Sequence, residues 1–353
     1  MELSVRSMSS SAISKIQRPN SHIPRNFTLV LVICFVLLGI CVVASLVLGS
    51  RLVSYHELID GLFHRDVDSY GANVVRKRIS RTVFSLFGGA ALGVSGALMQ
   101  SVTRNPIADP SILGVNTGAS LFVVCGIAFL NISTANQYIW LALAGAAITA
   151  VFVFGIGSMG RGGATPIKLV LAGAATSAAL SSLVTAIMIP RSYVMDQFRF
   201  WQVGSVGSAT WSGIATFAPF LIAGILTAVI TAPALNALAL GDEVATGQGV
   251  RTGTLRLVAA LAGVLLCGAT TALAGPIGFV GLLATHVIRL ILGPDLRFVI
   301  PMSAISGAII LTVSDICGRL IGSPGELEVG VVTAFIGAPI LIILAMKSKV
   351  RSL

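Results

Sequence analysis

The sequence predicts an all-α polytopic membrane protein with about ten transmembrane helices. The chain has 353 residues, of which 55% are hydrophobic and only 10% are charged. Ordinary soluble domains carry roughly 25% charged residues, so this composition excludes that class. Between Arg81 and Arg104 lie 22 uncharged residues, enough for a helix at about 1.5 Å per residue to cross a hydrocarbon core of roughly 30 Å.

The first apolar run, residues 27–49, follows a polar, Ser-rich stretch with four arginines and lysines. A secretory signal peptide is the competing interpretation, but its apolar region would be only about 7 to 15 residues long. We therefore divide the chain into a basic cytoplasmic N-terminal tail, residues 1–26, and a ten-helix transmembrane domain, residues 27–353. Apolar runs predict its crossings at 27–49, 82–103, 112–130, 138–156, 169–190, 212–232, 257–274, 279–289, 298–318 and 329–346.

The second crossing is predicted to lie inside the helix bundle. It carries Gly89 and Gly93 in the small-xxx-small spacing that allows two helices to approach closely in lipid. Directly after it comes the sequence NPIADP, in which Pro106 and Pro110 oppose continued helix and predict a sharp turn.

The distribution of basic residues predicts that both termini are cytoplasmic. Most of the 23 lysines and arginines fall in the segments that this orientation places inside, as the positive-inside rule requires. The segment between the first two crossings breaks the rule, because six basic residues lie there, namely Arg51, Arg65, Arg76, Lys77, Arg78 and Arg81. Their concentration on the outer side predicts a specific role.

Several function classes are disfavoured by the sequence. The net charge of +10 is spread over short loops, which favours membrane topology signals over nucleic-acid binding. No GxxxxGK[ST] phosphate loop is present, so the chain is not expected to bind ATP by that motif. The five cysteines form no CxxC pair, and His286 is isolated near a helix end. We therefore predict no catalytic residue, no metal site and no bound cofactor.

Three features remain as candidate contact sites. Arg78 and Arg81 lie three residues apart, on one helix face, and either contact a partner or reach lipid headgroups. In the inner loop GDEVATGQG, Asp242 and Glu243 are typical of a helix N-terminus, either of a partner-binding helix or of a solvated one. The third is NPIADP, for which a purely structural turn is the alternative.

The order of motifs along the chain resembles the FecCD-type permeases, the membrane subunits of ABC importers for iron-siderophores, haem and vitamin B12. The similar segments are RISR (78–81), GGAALGVSGALMQ (88–100), NPIADP (105–110) and LGVNTGA (113–119). Further matches are WQVGSVG, LALGDEVATGQGV, AGPIGFVGLLATHVIR, SDICGR and GELEVGVVTAFIGAP. They extend over about residues 50–345.

The resemblance implies a type II ABC importer permease in the bacterial cytoplasmic membrane. It implies a second permease subunit, identical or paralogous, two cytoplasmic ATPase subunits that hold ATP and Mg²⁺, and an extracytoplasmic binding protein. By this resemblance, the arginines that would dock the glutamates of the binding protein are Arg78, Arg81 and Arg319. The ATPase coupling loop would comprise Leu240, Gly241, Asp242, Glu243, Val244, Ala245 and Gly249. The cytoplasmic gate would comprise Asn105, Pro106, Ile107 and Ala108.

The chain departs from the family pattern at a few positions. Ser80 replaces a proline between the two docking arginines, Gly247 and Gln248 alter the coupling loop, and Glu328 replaces a proline near Arg319. A ferric siderophore is the expected substrate, with vitamin B12 and haem as alternatives. An ion-coupled secondary transporter is the alternative from another class.

Overall fold

The computed structural model describes residues 26–51, 53–64, 68–132, 134–160 and 165–347. The predicted N-terminal tail therefore lies, except for Asn26, outside the described residues. Within these ranges the chain forms only helices and irregular connections. The helices are α1 Phe27–Val47, α2 Tyr55–Phe63, α3 Tyr70–Thr103, α4 Val115–Leu130, α5 Ala135–Ser158, α6 Pro166–Met188, α7 Ser192–Gln202, α8 Trp211–Ala239, α9 Asp242–Gly247, α10 Thr252–Ala274, α11 Val280–Leu292, α12 Leu296–Ile321 and α13 Val329–Lys347.

Ten of these helices match the ten predicted crossings. Seven of them, α1, α3, α5, α6, α8, α10 and α12, are long and apolar enough to span a membrane by themselves, and α4, α11 and α13 are shorter apolar helices. We name the two ends of the bundle by the orientation that the charges predict: the outer end holds Arg81 and the inner end holds Arg104. The fold class predicted from the sequence is confirmed.

The boundaries differ from the prediction mainly at the outer end. Helix α3 begins at Tyr70, twelve residues before the predicted crossing, because the Ser69 hydroxyl caps it by accepting the Ala72 N–H at 3.1 Å. Helix α2 also lies in the predicted outer segment and begins with a capping box between Ser54 and Glu57. Helix α7 occupies a stretch predicted as a loop. The charged residues of these elements interrupt the apolar runs on which the prediction depends.

Helix α3 lies at the centre of the bundle. Of its most apolar 18-residue window, 78% is buried, whereas the corresponding window of α1 is only 11% buried. Gly89 and Gly93 contact α12 so closely that a Cβ atom at either position would overlap the backbone of Gly307 or Ser303. The predicted close approach at the small-xxx-small pair is thus confirmed.

The NPIADP segment does not simply turn at the membrane surface. Helix α4 has 16 residues, or about 24 Å, and is shorter than the hydrocarbon core. The residues between NPIADP and α4 extend into the bundle, because Gly114 lies against Thr149 of α5 and against Ser177, which is at the midpoint of α6. Non-helical backbone at this depth requires internal hydrogen bonds, and the Asp109 carboxylate accepts the Ser111 N–H at 2.9 Å.

Candidate functional site

The predicted docking arginines meet at the outer ends of α3 and α12 around one carboxylate. Asp315 is 1% exposed and accepts hydrogen bonds from Arg81 Nε at 2.9 Å and Arg81 Nη2 at 2.7 Å. Arg319, one turn later on α12, places its Nη2 3.0 Å from the other oxygen of Asp315. A single buried carboxylate is therefore shared by two guanidinium groups.

Arg319 of the same cluster also caps the C-terminal end of α1. Arg319 Nη1 donates to the carbonyls of Ser45 and Leu48, at 2.9 and 3.0 Å, and its Nη2 donates to the Ser45 hydroxyl. The last carbonyls of a helix have no partner within the helix, so these contacts satisfy groups that the fold would otherwise leave open.

Arg78 contacts the end of α1 as well, and its hydrogen bonds within the described residues go to backbone carbonyls. Its guanidinium donates to Leu46 and Val47 at 3.0 and 2.9 Å, and to Arg51 at 2.6 Å. Arg78 is only 7% exposed, so these carbonyls replace the water that its guanidinium loses on burial.

Among the described residues, Glu326 is the solvent-facing acidic partner of the cluster. Arg81 Nη1 lies 2.5 Å from Glu326 Oε2, and the Glu326 side chain is 41% exposed. Glu326 lies in the motif GELEVGVVTAFIGAP, where only Glu328 departs from the family pattern. Spacing along the chain gave no signal, because 245 residues separate Arg81 from Glu326.

The three arginines also line a common outer cavity of about 420 Å³, together with Arg51, Lys77 and Tyr70. Their own exposure is small, at 7% for Arg78, 8% for Arg81 and 1% for Arg319. Lys77 is exposed, and Arg51 is half exposed and forms an ion pair with Glu57 at 2.9 Å. The structure thus brings the predicted docking residues together but encloses them within the chain.

At the inner end, the predicted coupling loop contains a helix, α9, which begins at Asp242 as the acidic pair predicted. The Asp242 carboxylate forms ion pairs with Arg104 and with Arg256 of α10, the latter at 2.8 Å. Arg104 also donates to the carbonyl of Leu238, near the end of α8, at 2.6 Å. Arg256 was not among the predicted site residues, and no motif indicated it.

The predicted gate follows Arg104 directly in the chain. Arg104 ends α3 in the left-handed backbone region, with φ at 48°, and turns the chain into Asn105. The side-chain oxygen of Asn105 accepts the Ile107 N–H at 3.1 Å, and the backbone carbonyl of Asn105 accepts the Ala108 N–H at 3.1 Å. Ala108 is buried and Pro106 is exposed. The gate residues therefore form one tight turn, attached through Arg104 to the first residue of α9.

The two arginine sites are separate. Arg81 and Arg104 are 23 residues apart on one continuous helix, which corresponds to about 35 Å. Any communication between them runs through α3 itself or through the helices packed against it. Helix α3 contacts α1, α2, α6, α8, α10, α11 and α12.

Comparison with known proteins identifies the family. The profile of the FecCD transport family matches residues 37–347. The ferric enterobactin transport system permease protein FepD of Escherichia coli (strain K12) is 40% identical over 312 residues, covering 88% of this chain and 93% of FepD. The Fe(3+)-citrate import system permease protein YfmD of Bacillus subtilis (strain 168) is 41% identical over 305 residues, covering 86% of this chain and 90% of YfmD.

A solved structure supports the same assignment. A metal-chelate type ABC transporter in an inward-facing conformation superimposes with a TM-score of 0.77 at 26% sequence identity, covering 91% of this chain and 99% of that chain. Both the sequence relatives and this structure extend over nearly the whole molecule. The chain therefore belongs to the FecCD transport family.

Proposed function

We propose that this chain is the permease subunit of a binding-protein-dependent ABC importer for ferric siderophores. The observation that carries the proposal is the family match over residues 37–347. The relatives named for ferric enterobactin and Fe(3+)-citrate support an iron chelate as the substrate. Vitamin B12 and haem remain the alternative substrates.

The proposal includes the partners that such a permease needs. Two cytoplasmic ATPase subunits would bind ATP and Mg²⁺ and hydrolyse the nucleotide, so this chain itself would bind no cofactor and catalyse no reaction. A second permease subunit would complete the pathway, and a binding protein would deliver the chelate from outside. The chain would lie in the bacterial cytoplasmic membrane with both termini inside, as its basic residues favour.

The inner ion pairs support a route for coupling. Helix α9 would sit in a groove of the ATPase and move with it. Because Asp242 of α9 contacts Arg104, and Arg104 is bonded to Asn105, a displacement of α9 would be applied directly to the gate turn. Coupling would therefore depend on the side-chain contact between Asp242 and Arg104, and not only on α9 and the gate turn moving as one rigid body.

The outer cluster supports docking through exchange of ion-pair partners. Arg78, Arg81 and Arg319 are proposed to attract glutamates of the binding protein into the cavity that they line. Arg81 is best placed, since one of its carboxylate partners, Glu326, is 41% exposed and can be displaced by an incoming carboxylate. Arg319 would act from below, by holding Asp315 in place.

The test is uptake of a radiolabelled ferric siderophore in cells that express the chain with or without its ATPase. We expect uptake only with the ATPase, and we expect it to persist when an ionophore dissipates the ion gradients. Full uptake without the ATPase, abolished by the ionophore, would instead establish an ion-coupled secondary transporter. Competition with unlabelled vitamin B12 or haem in the same assay distinguishes the alternative substrates.

A further inference from the structure

A second polar cavity lies at the inner end, beside the gate turn, and shares Arg104 with the coupling contacts. It has a volume of about 230 Å³, below the roughly 300 to 1,000 Å³ of pockets for drug-sized ligands. Its polar lining comes from Gln100, Ser101, Arg104 and Arg289, and Pro106 of the gate turn forms part of its wall.

The side-chain amide of Gln100, which lines this cavity, has unsatisfied hydrogen-bonding groups in the described part of the chain. The residue is 3% exposed, yet neither its side-chain oxygen nor its side-chain nitrogen has a hydrogen-bond partner among the residues that the structure describes. Buried amides are almost always paired, because an unpaired one loses its hydration without replacement. The unpaired amide lines the cavity, and a ligand there would supply the missing partner.

Arg289 adds uncompensated positive charge. Its only hydrogen bond in the described part of the chain is a long one, 3.4 Å from Nη2 to the Ser101 hydroxyl, and its Nε is buried without a partner. The nearest acidic residue along the chain, Asp295, is already bound by Asn236 at 2.6 Å and by Arg297 at 2.7 Å. Arg104 is the second cation, and its carboxylate partner Asp242 belongs to α9.

The surroundings indicate where the anion comes from. Leu290 and Ile291, which follow Arg289 on α11, are 73% and 51% exposed. Exposed apolar side chains beside a half-buried arginine at a helix end are the arrangement expected where acyl chains cover the protein and a headgroup reaches inward. A free phosphate would use the same cations but not these apolar side chains.

We propose that this cavity binds the phosphate group of an anionic phospholipid of the inner leaflet. Arg289 and Arg104 neutralise the phosphate, and the Gln100 amide donates to one of its oxygens. The lipid would also contact Pro106, so its presence would restrict the gate turn from the membrane side.

The experiment is native mass spectrometry of the full purified chain with phosphatidylglycerol or phosphatidylcholine. The wild type is expected to retain phosphatidylglycerol preferentially. Arg289→Gln is expected to weaken that binding about five-fold, since each basic residue near the surface contributes about that much to anionic lipid affinity. Gln100→Leu keeps the charge and is also expected to weaken it, whereas Arg289→Lys retains most of it.

Arg251→Gln is the matched control, because it removes an exposed arginine near the inner end that does not line the cavity. Equal losses in Arg289→Gln and Arg251→Gln, or no lipid preference in the wild type, would overturn the proposal. Inorganic phosphate is the third probe. If the wild type retains inorganic phosphate as strongly as it retains phosphatidylglycerol, and Arg289→Gln loses that phosphate, the anion does not come from a lipid.

Discussion

The two ends of α3 use arginine in opposite ways. At the outer end, Arg78, Arg81 and Arg319 are less than 9% exposed and bind Asp315, Glu326 and the carbonyls that end α1. At the inner end, the Arg104 side chain is 34% exposed, and its carboxylate partner Asp242 is 46% exposed. The outer arginines hold buried helix ends together, whereas Arg104 connects the end of α3 to the partly exposed first residue of α9.

This difference separates stability from coupling. A buried carboxylate between two arginines cannot be removed without leaving buried charge, so the outer cluster is costly to disturb. An exposed ion pair contributes little to stability but can still transmit a displacement. Substitutions at the outer end should therefore affect folding, and substitutions at the inner end should affect transport in a folded protein.

The largest expected effect is that of Asp315→Asn. It leaves Arg81 and Arg319 buried without their shared carboxylate, and the cost of breaking such a buried pair is about 3 to 5 kcal/mol. Thermal unfolding of the purified chain measures it. Glu326→Gln is the matched control, with an expected cost of at most about 1 kcal/mol because Glu326 is partly exposed. Equal effects of the two variants would contradict the enclosed cluster.

Arg78→Gln should have the next largest effect. It removes charged hydrogen bonds to the carbonyls of Leu46, Val47 and Arg51, and one such bond is worth about 1.5 to 3 kcal/mol. Arg78→Lys should recover only part of the loss, because an ammonium group lacks the planar fork that reaches several carbonyls. If the two variants unfold at the wild-type temperature, Arg78 does not anchor the end of α1.

Asp242→Asn should leave the fold nearly intact. We expect a loss of stability of about 1 to 2 kcal/mol, because the pair with Arg104 is exposed but the side chain of Arg256, the second partner, is only 7% exposed. Substrate uptake should nevertheless fall more than ten-fold while ATP hydrolysis continues, since Arg104 would no longer be held to α9. The neighbouring Glu243→Gln removes the same charge from α9 and serves as the control. Coupling lost equally in both variants would point to the net charge of α9 and not to the Arg104 contact.

The smallest expected effect concerns pH at α2. The Ser54 backbone N–H, with further help from Arg51, lowers the pKa of Glu57 below its usual 4.5. A lowered pKa means that the folded state favours the carboxylate, so this contribution to stability is present above about pH 4.5 and is lost as the pH falls through the lowered pKa. The protection factors of the amides at the first turn of α2, which are corrected for the intrinsic pH dependence of exchange, should fall below about pH 4 in the wild type but stay constant in Glu57→Gln. Identical pH profiles would exclude the capping box as the cause.

Much of the fold could be predicted because membrane crossings are long and apolar. The ten crossings, the close approach at Gly89 and Gly93, and the helix beginning at Asp242 all follow from local sequence. Local patterns could not show α2 and α7, whose charged residues interrupt the apolar runs. They also could not show that the segment after NPIADP reaches Ser177 at the midpoint of α6, because that depends on which helices surround it.

The sites divide in the same way. The motif order brought Arg78, Arg81 and Arg319 into one prediction, and the structure places them around one cavity. Their enclosure was not predictable, since it results from Ser45, Asp315 and Glu326, which lie far from Arg81 in the chain. Ser80, which departs from the family pattern, continues α3 as an ordinary helical residue, and its hydroxyl lies 3.1 Å from the Ala209 carbonyl.

The most direct test of the account is ATP-driven uptake of a ferric siderophore by proteoliposomes that contain this chain with its ATPase and binding protein. Uptake per ATP hydrolysed is measured for the wild type, Asp242→Asn and Glu326→Gln. The account predicts ATP-dependent uptake in the wild type, ATP hydrolysis without uptake in Asp242→Asn, and coupled transport in Glu326→Gln. Wild-type uptake that needs no ATP, or an unchanged ratio in Asp242→Asn, would contradict it.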